Sequence, residues 1–131
     1  MPFKIRTILS GTQTQNRLTV FEEITPPGEG PPLHLHMHQI EIFHVIRGRY
    51  LFALENNEVI AEAGACVFIP IGAAHTFKNI GTDDGLIHFE LLPSGSAELF
   101  FDTLVKDFDT ISDMSGFFRK HGIELLGPPI S

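Results

Sequence analysis

Histidines are concentrated in one short part of the sequence. Four of the seven histidines fall within the segment PPLHLHMHQIEIFHVIRG, which runs from residue 31 to residue 48. Three of them, His34, His36 and His38, alternate along the chain, and Glu41 follows. Because alternate residues of an extended chain point to one side, these imidazoles would share a face. Imidazole and carboxylate groups bind divalent first-row metals, so the segment is either a metal site or an exposed polar strand.

Length and composition indicate one soluble globular domain. The chain has 131 residues, 43% of them hydrophobic and 19% charged, with a formal net charge of -7. This charge disfavours nucleic acid and anionic membrane surfaces as partners. Cys66 is the only cysteine, which excludes an intrachain disulfide, and its apolar strand predicts a buried thiol. The N-terminus lacks the features of a signal peptide and no apolar run approaches a membrane span, so we expect a cytoplasmic location.

Short apolar runs separated by turn residues fill the first two-thirds of the chain. About nine such runs predict an antiparallel sandwich or barrel over residues 1–93. Helical spacing replaces this pattern in SAELFFDTLVKDF and again in TISDMSGFFRKHG, and the extended tail IELLGPPIS follows. We therefore predict a single domain over residues 1–131, in which two short helices of a C-terminal extension (residues 94–131) pack on the barrel.

Two multi-residue motifs lie in the middle of the chain. In the first, Gly28 is followed at fixed intervals by His34, His36, Glu41 and Gly48; in the second, Gly64 is followed by Pro70, Gly72, His75 and Asn79. With these spacings the sequence resembles the cupin superfamily, in particular the small single-domain bacterial cupins that are quercetin-dioxygenase-like. The resemblance implies an all-β, double-stranded β-helix (jelly-roll) barrel. It also implies that His34, His36, Glu41 and His75 bind a metal.

The spacing of these residues makes physical sense. His34 and His36 face one side of a strand, whereas Glu41 lies at an odd offset and would face the other side. We therefore expect a hairpin at Met37–Ile40 that returns Glu41 to the histidines. His75 follows the tight connection PIGAA. Three imidazoles and one carboxylate would hold one divalent first-row transition metal (Fe, Mn, Ni, Co, Cu or Zn) and leave a coordination position open.

Further residues are candidates for a substrate pocket. His38 is expected at the rim, next to the ligands. Phe43 and Val45 share the face of Glu41, and Phe68 and Phe77 would add to an apolar lining. His88 and Glu90 share one face of LIHFELL, which is either a cavity wall or a solvent-exposed surface. The full set of pocket candidates is His38, Phe43, Val45, Phe68, Phe77, His88 and Glu90.

Three functions are compatible with this site. The first is a metal-dependent oxidoreductase of the dioxygenase kind that acts on a small organic molecule, with Glu41 as a catalytic base as well as a ligand. The second is a binding or sensing module without turnover. The third is a sugar or keto-acid isomerase, but the basic residues Arg47, Arg49 and Lys78 are outside the inward register. The resemblance also implies a homodimer in which N-terminal strands join the partner's sheet.

Overall fold

Two antiparallel sheets face each other and form the barrel. A computed structural model describes residues 2–131. The ten strands are β1 (Lys4–Leu9), β2 (Thr19–Thr25), β3 (Leu33–His36), β4 (Ile40–Arg47), β5 (Arg49–Leu54), β6 (Asn57–Glu62), β7 (Cys66–Ile69), β8 (His75–Asn79), β9 (Gly85–Leu92) and β10 (Ile123–Gly127). The first sheet has the order β1-β2-β9-β4-β7, and the second has the order β10-β3-β8-β5-β6. This architecture confirms the predicted all-β jelly-roll barrel.

The interior of the barrel is filled mainly by aromatic side chains. Alternation along the strands turns Phe43 of β4, Phe77 of β8 and Phe89 of β9 inward, and each is at most 3% exposed. The ring centroid of Phe43 lies 5.3 Å from that of Phe77 and 5.6 Å from that of Phe89, so side chains from both sheets meet at one contact. Burying each ring contributes about 1.5–3 kcal/mol, and this packing holds the two sheets together.

The C-terminal segment supplies two helices and also a strand. Helix α1 spans Ala97–Asp107 and helix α2 spans Met114–Lys120. Buried side chains of both helices form a second apolar cluster with β10. Sequence reasoning predicted only an extended tail after α2, whereas β10 pairs with β3, with Ile123 opposite His36 and Leu125 opposite His34. The C-terminus therefore supports the strand that carries two predicted metal ligands. No helix within residues 2–131 is long and apolar enough to cross a membrane.

Candidate metal centre

Four side chains from three strands converge inside the barrel. His34 and His36 lie on β3, Glu41 lies on β4 and His75 lies on β8. One ligand atom from each residue can be chosen so that all four atoms lie within 4.8 Å of one another. His36, Glu41 and His75 are at most 3% exposed, and His34 is half-buried. The four residues thus form a cluster able to bind a metal ion.

Glu41 reaches the histidines by a route that differs from the predicted hairpin. Strands β3 and β4 belong to different sheets, so the segment between them is a corner that crosses from one sheet to the other. Within the second sheet, His34 lies directly opposite His75. Glu41 faces both from the opposing sheet, since inward side chains of two packed sheets meet in the interior. The predicted hairpin is therefore wrong, but Glu41 does lie beside the histidines as predicted.

Backbone groups fix the orientation of two imidazoles. His34 Nδ1 lies 2.7 Å from the carbonyl oxygen of Pro32, and His75 Nδ1 lies 2.9 Å from that of Ala73. A ring nitrogen that donates to a carbonyl leaves the other nitrogen free to bind a metal. Gly72, with a φ of 79°, donates its backbone N–H to the carbonyl oxygen of His36 at 2.9 Å. This turn, which favours glycine, ties the loop before His75 to β3.

Burial and contacts within the cluster shift the pKa values of its side chains in different directions. Burial and the neighbouring His75 and His36 lower the pKa of His34 to about 3, so His34 is neutral at working pH. Burial raises the pKa of Glu41, but the proximity of His36 and the hydrogen bond from His75 outweigh burial and hold that pKa below its ordinary value. Burial lowers the pKa of His75, but its hydrogen bond to Glu41 at 3.0 Å outweighs burial and raises it. The carboxylate is therefore ionised and ready to accept a cation.

His36 supplies the observation that tests whether a metal fits. Although its side chain is 3% exposed, neither ring nitrogen has a hydrogen-bond partner among residues 2–131. Its Nε2 lies 3.3 Å from Glu41 Oε1, but this contact does not form a hydrogen bond. Leaving a buried polar atom unpaired costs about 1–3 kcal/mol. A divalent cation bound by the cluster would satisfy this nitrogen, so the donor set fits a metal.

An apolar cavity opens next to the cluster. Its volume is about 280 Å³, and its walls include His34 and Glu41. The barrel contributes Phe43, Phe77 and Phe89, whereas the C-terminal segment contributes the side chains of Phe101, Leu104, Phe108, Met114 and Phe118. The helices therefore cover the mouth of the barrel and form part of the wall. A ligand in this cavity would touch both the metal ligands and a largely aromatic surface.

The structure places the predicted pocket candidates in different environments. Phe43 and Phe77 line the cavity as predicted, while Val45 is buried in the core next to it without lining it. Phe68 is 53% exposed on the outer face of β7, which corrects the expectation that it lines the pocket. His38 is exposed on the corner before β4 and borders a separate polar depression instead of the cavity, which corrects the expectation that it lies at the rim next to the ligands.

The outer face of the first sheet carries the remaining pair of candidates. His88 Nε2 lies 3.1 Å from Glu22 Oε2, and Glu90 Oε1 lies 2.9 Å from His44 Nε2. Their neighbours Ile87, Phe89 and Leu91 are the residues of β9 that point into the core. His88 and Glu90 therefore lie on the outside of the barrel. Of the two predicted alternatives, the solvent-exposed surface is correct and the cavity wall is wrong.

Cys66 also lies on this outer face. Its side chain is exposed, and its Sγ lies 3.3 Å from His44 Nδ1, which corrects the expectation of a buried thiol. Strand β7 is apolar on both faces, so its sequence does not show which face is buried. We expect one thiol per chain to react with a disulfide reagent such as dithionitrobenzoate in the folded protein at a dilution where it is monomeric, and none in Cys66→Ser. Reaction only after unfolding would contradict this placement.

Sequence reasoning missed an acidic residue of the cavity wall. Glu23 of β2 lines the cavity and is 4% exposed. In the segment RLTVFEEIT, the face with Val20, Glu22 and Ile24 looks more apolar than the face with Phe21, Glu23 and Thr25. The structure buries the second of these faces. No sequence signal marks Glu23, because its burial depends on the partners that surround it.

Fold and site together define a small β-barrel protein with an internal His/His/Glu/His cluster able to bind a metal ion. The chain belongs to the cupin family, since the model of the Cupin domain matches residues 21–89. This confirms the resemblance noted in the sequence. The matched region contains all four residues of the cluster as well as Glu23.

Comparisons with individual proteins agree with this assignment. An uncharacterized protein of Methanocaldococcus jannaschii is 35% identical over 60 residues, which are 46% of this chain and 48% of that protein. The polyketide synthase CurC of Streptomyces cyaneus is 31% identical over 70 residues, which are 53% of this chain and 46% of CurC. The chain thus spans about half the length of these two relatives.

Among solved structures, a predicted oxalate decarboxylase of Thermotoga maritima superposes with a TM-score of 0.67. It is 24% identical in sequence, and the match covers 70% of this chain and 80% of that one. At this level of identity the likeness supports the barrel fold and carries no information on substrate.

Proposed function

We propose that the protein is a metal-dependent oxidoreductase of the dioxygenase kind. Its substrate would be a small, uncharged organic molecule, aromatic or enolisable, that binds in the barrel next to the metal. The observation that carries this proposal is the shared cavity: two residues of the metal-binding cluster, His34 and Glu41, lie in the wall of an aromatic cavity of about 280 Å³. A purely structural metal site would normally be closed to ligands.

Each part of the cavity has a defined role in this proposal. His34, His36, Glu41 and His75 would hold one divalent first-row metal, which would supply Lewis-acid polarisation of a substrate oxygen and a site for dioxygen. Glu41 would accept a proton from a substrate hydroxyl or an acidic C–H group. Phe43, Phe77 and Phe101 would stack against an aromatic body and exclude water.

Oxygen consumption tests the proposal. The protein would be stripped of metal, reconstituted separately with Fe, Mn, Ni, Co, Cu or Zn, and mixed with a panel of flavonols and β-diketones in an oxygen electrode. We expect stoichiometric uptake with at least one redox-active metal, and both atoms of labelled dioxygen in the products. Absence of uptake with every metal, together with thermal stabilisation by a panel member that is recovered unchanged, would instead identify a binding or sensing module.

The charge of the cavity leads to a prediction about anions. Among residues 2–131, no lysine or arginine lines the cavity, whereas Glu23 and Glu41 do. An anion such as oxalate or a sugar phosphate would lose its hydration there and, apart from the metal itself, would find no cationic side chain. We expect no change in melting temperature of the zinc-loaded protein with either anion at millimolar concentration. Saturable binding of a sugar phosphate would favour the isomerase alternative.

We also propose a homodimer formed through the first sheet. Strand β1 is an edge strand of this sheet. On the outer face of the same sheet, Ile46 of β4 is 45% exposed and Phe68 of β7 is 53% exposed. An unpaired edge and exposed apolar side chains are features that a second copy would cover. Sedimentation at micromolar concentration should show twice the mass of the chain, and Phe68→Glu should weaken the association. A monomer for the unmodified protein would refute this proposal.

A further inference from the structure

Glu23 is a second carboxyl group in the wall of the cavity. It lies on β2 and is 4% exposed, and the cavity that it lines also contains His34 and Glu41. The adjacent Glu22 points to the opposite side of the strand, where it pairs with Arg6 at 2.8 Å and with His88 at 3.1 Å. The two neighbouring glutamates therefore have different environments, and only Glu23 can reach a bound ligand.

Glu23 stands apart from the metal-binding cluster. The cluster of mutually close ligand atoms comprises His34, His36, Glu41 and His75 and does not include Glu23. Through the shared neighbour β9, Glu23 aligns with Ile87 and Glu41 aligns with Leu91. This register offset of four residues corresponds to about 13 Å between backbone positions along a strand. One ion cannot bind both carboxyl groups, but one elongated organic molecule can touch the metal and Glu23 together.

The hydrogen bonds of Glu23 leave one of its oxygens available. Thr25 donates from Oγ1 to Glu23 Oε2 at 2.6 Å, and this is the hydrogen bond that its carboxyl group makes within residues 2–131. No cationic side chain in that range forms an ion pair with it. Burial raises the pKa of Glu23 to about 7, against the effect of the Thr25 hydrogen bond and with a further contribution from the charge of Glu41. Near neutral pH the carboxyl group can therefore donate as well as accept a hydrogen bond.

We propose that Glu23 forms a second polar subsite, which binds a hydroxyl or carbonyl group of the substrate distant from the group held at the metal. This inference rests on the proposed function. It narrows the substrate to uncharged molecules with two polar groups separated by an apolar body, which the phenylalanines of the wall would contact. A buried polar group left unpaired is costly, so a substrate without the distant group binds less well.

Matched probes and variants test the subsite. Zinc-loaded protein does not turn substrates over through redox chemistry, so affinities for 3-hydroxyflavone, 3,7-dihydroxyflavone and 3,4′-dihydroxyflavone can be measured at pH 6 by absorbance titration. In Glu23→Leu we expect at least one dihydroxy probe to bind about tenfold less tightly, whereas 3-hydroxyflavone changes less than about threefold. Glu23→Gln should retain most of the affinity, because an amide also donates and accepts hydrogen bonds. Glu22→Gln is the matched control and should bind all three probes unchanged.

A second readout is independent of variant stability. In wild-type protein with ¹³C-labelled glutamate, the side-chain resonance of Glu23, identified by its loss in Glu23→Gln, should shift when the dihydroxy probe is added. The subsite would be overturned if Glu23→Leu lost affinity equally for all probes, or lost none, and the Glu23 resonance of wild-type protein did not move. The proposed function would then still stand. Failure of zinc-loaded wild-type protein to bind any of the probes would overturn the subsite as proposed and leave the proposed function to the oxygen-uptake experiment with β-diketones.

Discussion

Replacing His34 with alanine is expected to weaken binding of a divalent first-row metal by about a hundredfold or more, because loss of a direct ligand costs at least as much as loss of its supporting contacts. His34 is half-buried and borders the cavity, so its removal leaves no sealed void and the barrel should remain folded. The measurement is competition for zinc with a chromophoric chelator at pH 7.5, with metal content checked by mass spectrometry and folding by near-UV circular dichroism.

His38→Ala is the matched control for this experiment. His38 belongs to the same alternating series of histidines, but it is exposed on the corner after β3 and lies outside the cluster. We expect its replacement to leave zinc affinity within about twofold, since an exposed residue without a ligand role contributes little. Full retention of zinc by the His34 variant, or a large loss in the His38 variant, would contradict the assignment of ligands.

Replacing Glu23 with glutamine is expected to remove a large pH dependence of stability from the metal-free protein. The pKa of Glu23 rises from its ordinary value of 4.5 to about 7 in the folded chain, chiefly because of burial. A raised pKa means that the folded state binds the proton more tightly than the unfolded state. The stabilisation from this proton is therefore complete below pH 4.5 and is lost as the pH rises through 7, by about 3 kcal/mol.

Urea unfolding in the presence of a chelator, at pH 4.5 and pH 8, measures this effect. Between these two conditions, the free energy of unfolding of wild-type protein should fall relative to that of Glu23→Gln by about 3 kcal/mol. Glu22→Gln serves as the control: contacts with Arg6 and His88 lower the pKa of Glu22, so its own contribution changes below pH 4.5. A difference between wild type and Glu23→Gln that does not depend on pH would show that Glu23 titrates normally.

The two predictions concern opposite ends of one cavity. His34 lies in the cluster that can bind a metal, and Glu23 lies outside it, four register positions from Glu41 along the shared neighbour β9. A neutral substrate that spans both would be held by the metal at one end and by a carboxyl group at the other. The aromatic wall between them would contact an apolar molecular body.

The chain's sequence by itself determined the class of fold and the residues of the cluster. Turn residues at short intervals predicted the strands, and the helical spacing after Pro93 predicted α1 and α2. Two motifs with fixed spacing predicted that His34, His36, Glu41 and His75 would come together. These features depend on local conformational preferences and on residue types at fixed intervals, both of which can be read along the chain.

Only the tertiary structure decided which face of several strands is buried. Strand β7 is apolar on both sides, and packing turns Val67 and Ile69 inward while leaving Cys66 and Phe68 exposed. On β2, packing buries Glu23 with Thr25 and exposes the alternate face in part, against the simpler hydrophobic pattern. The position of β4 in the opposing sheet and the pairing of β10 with β3 likewise involve residues distant in sequence. Burial is a property of the surrounding partners, and local sequence does not contain them.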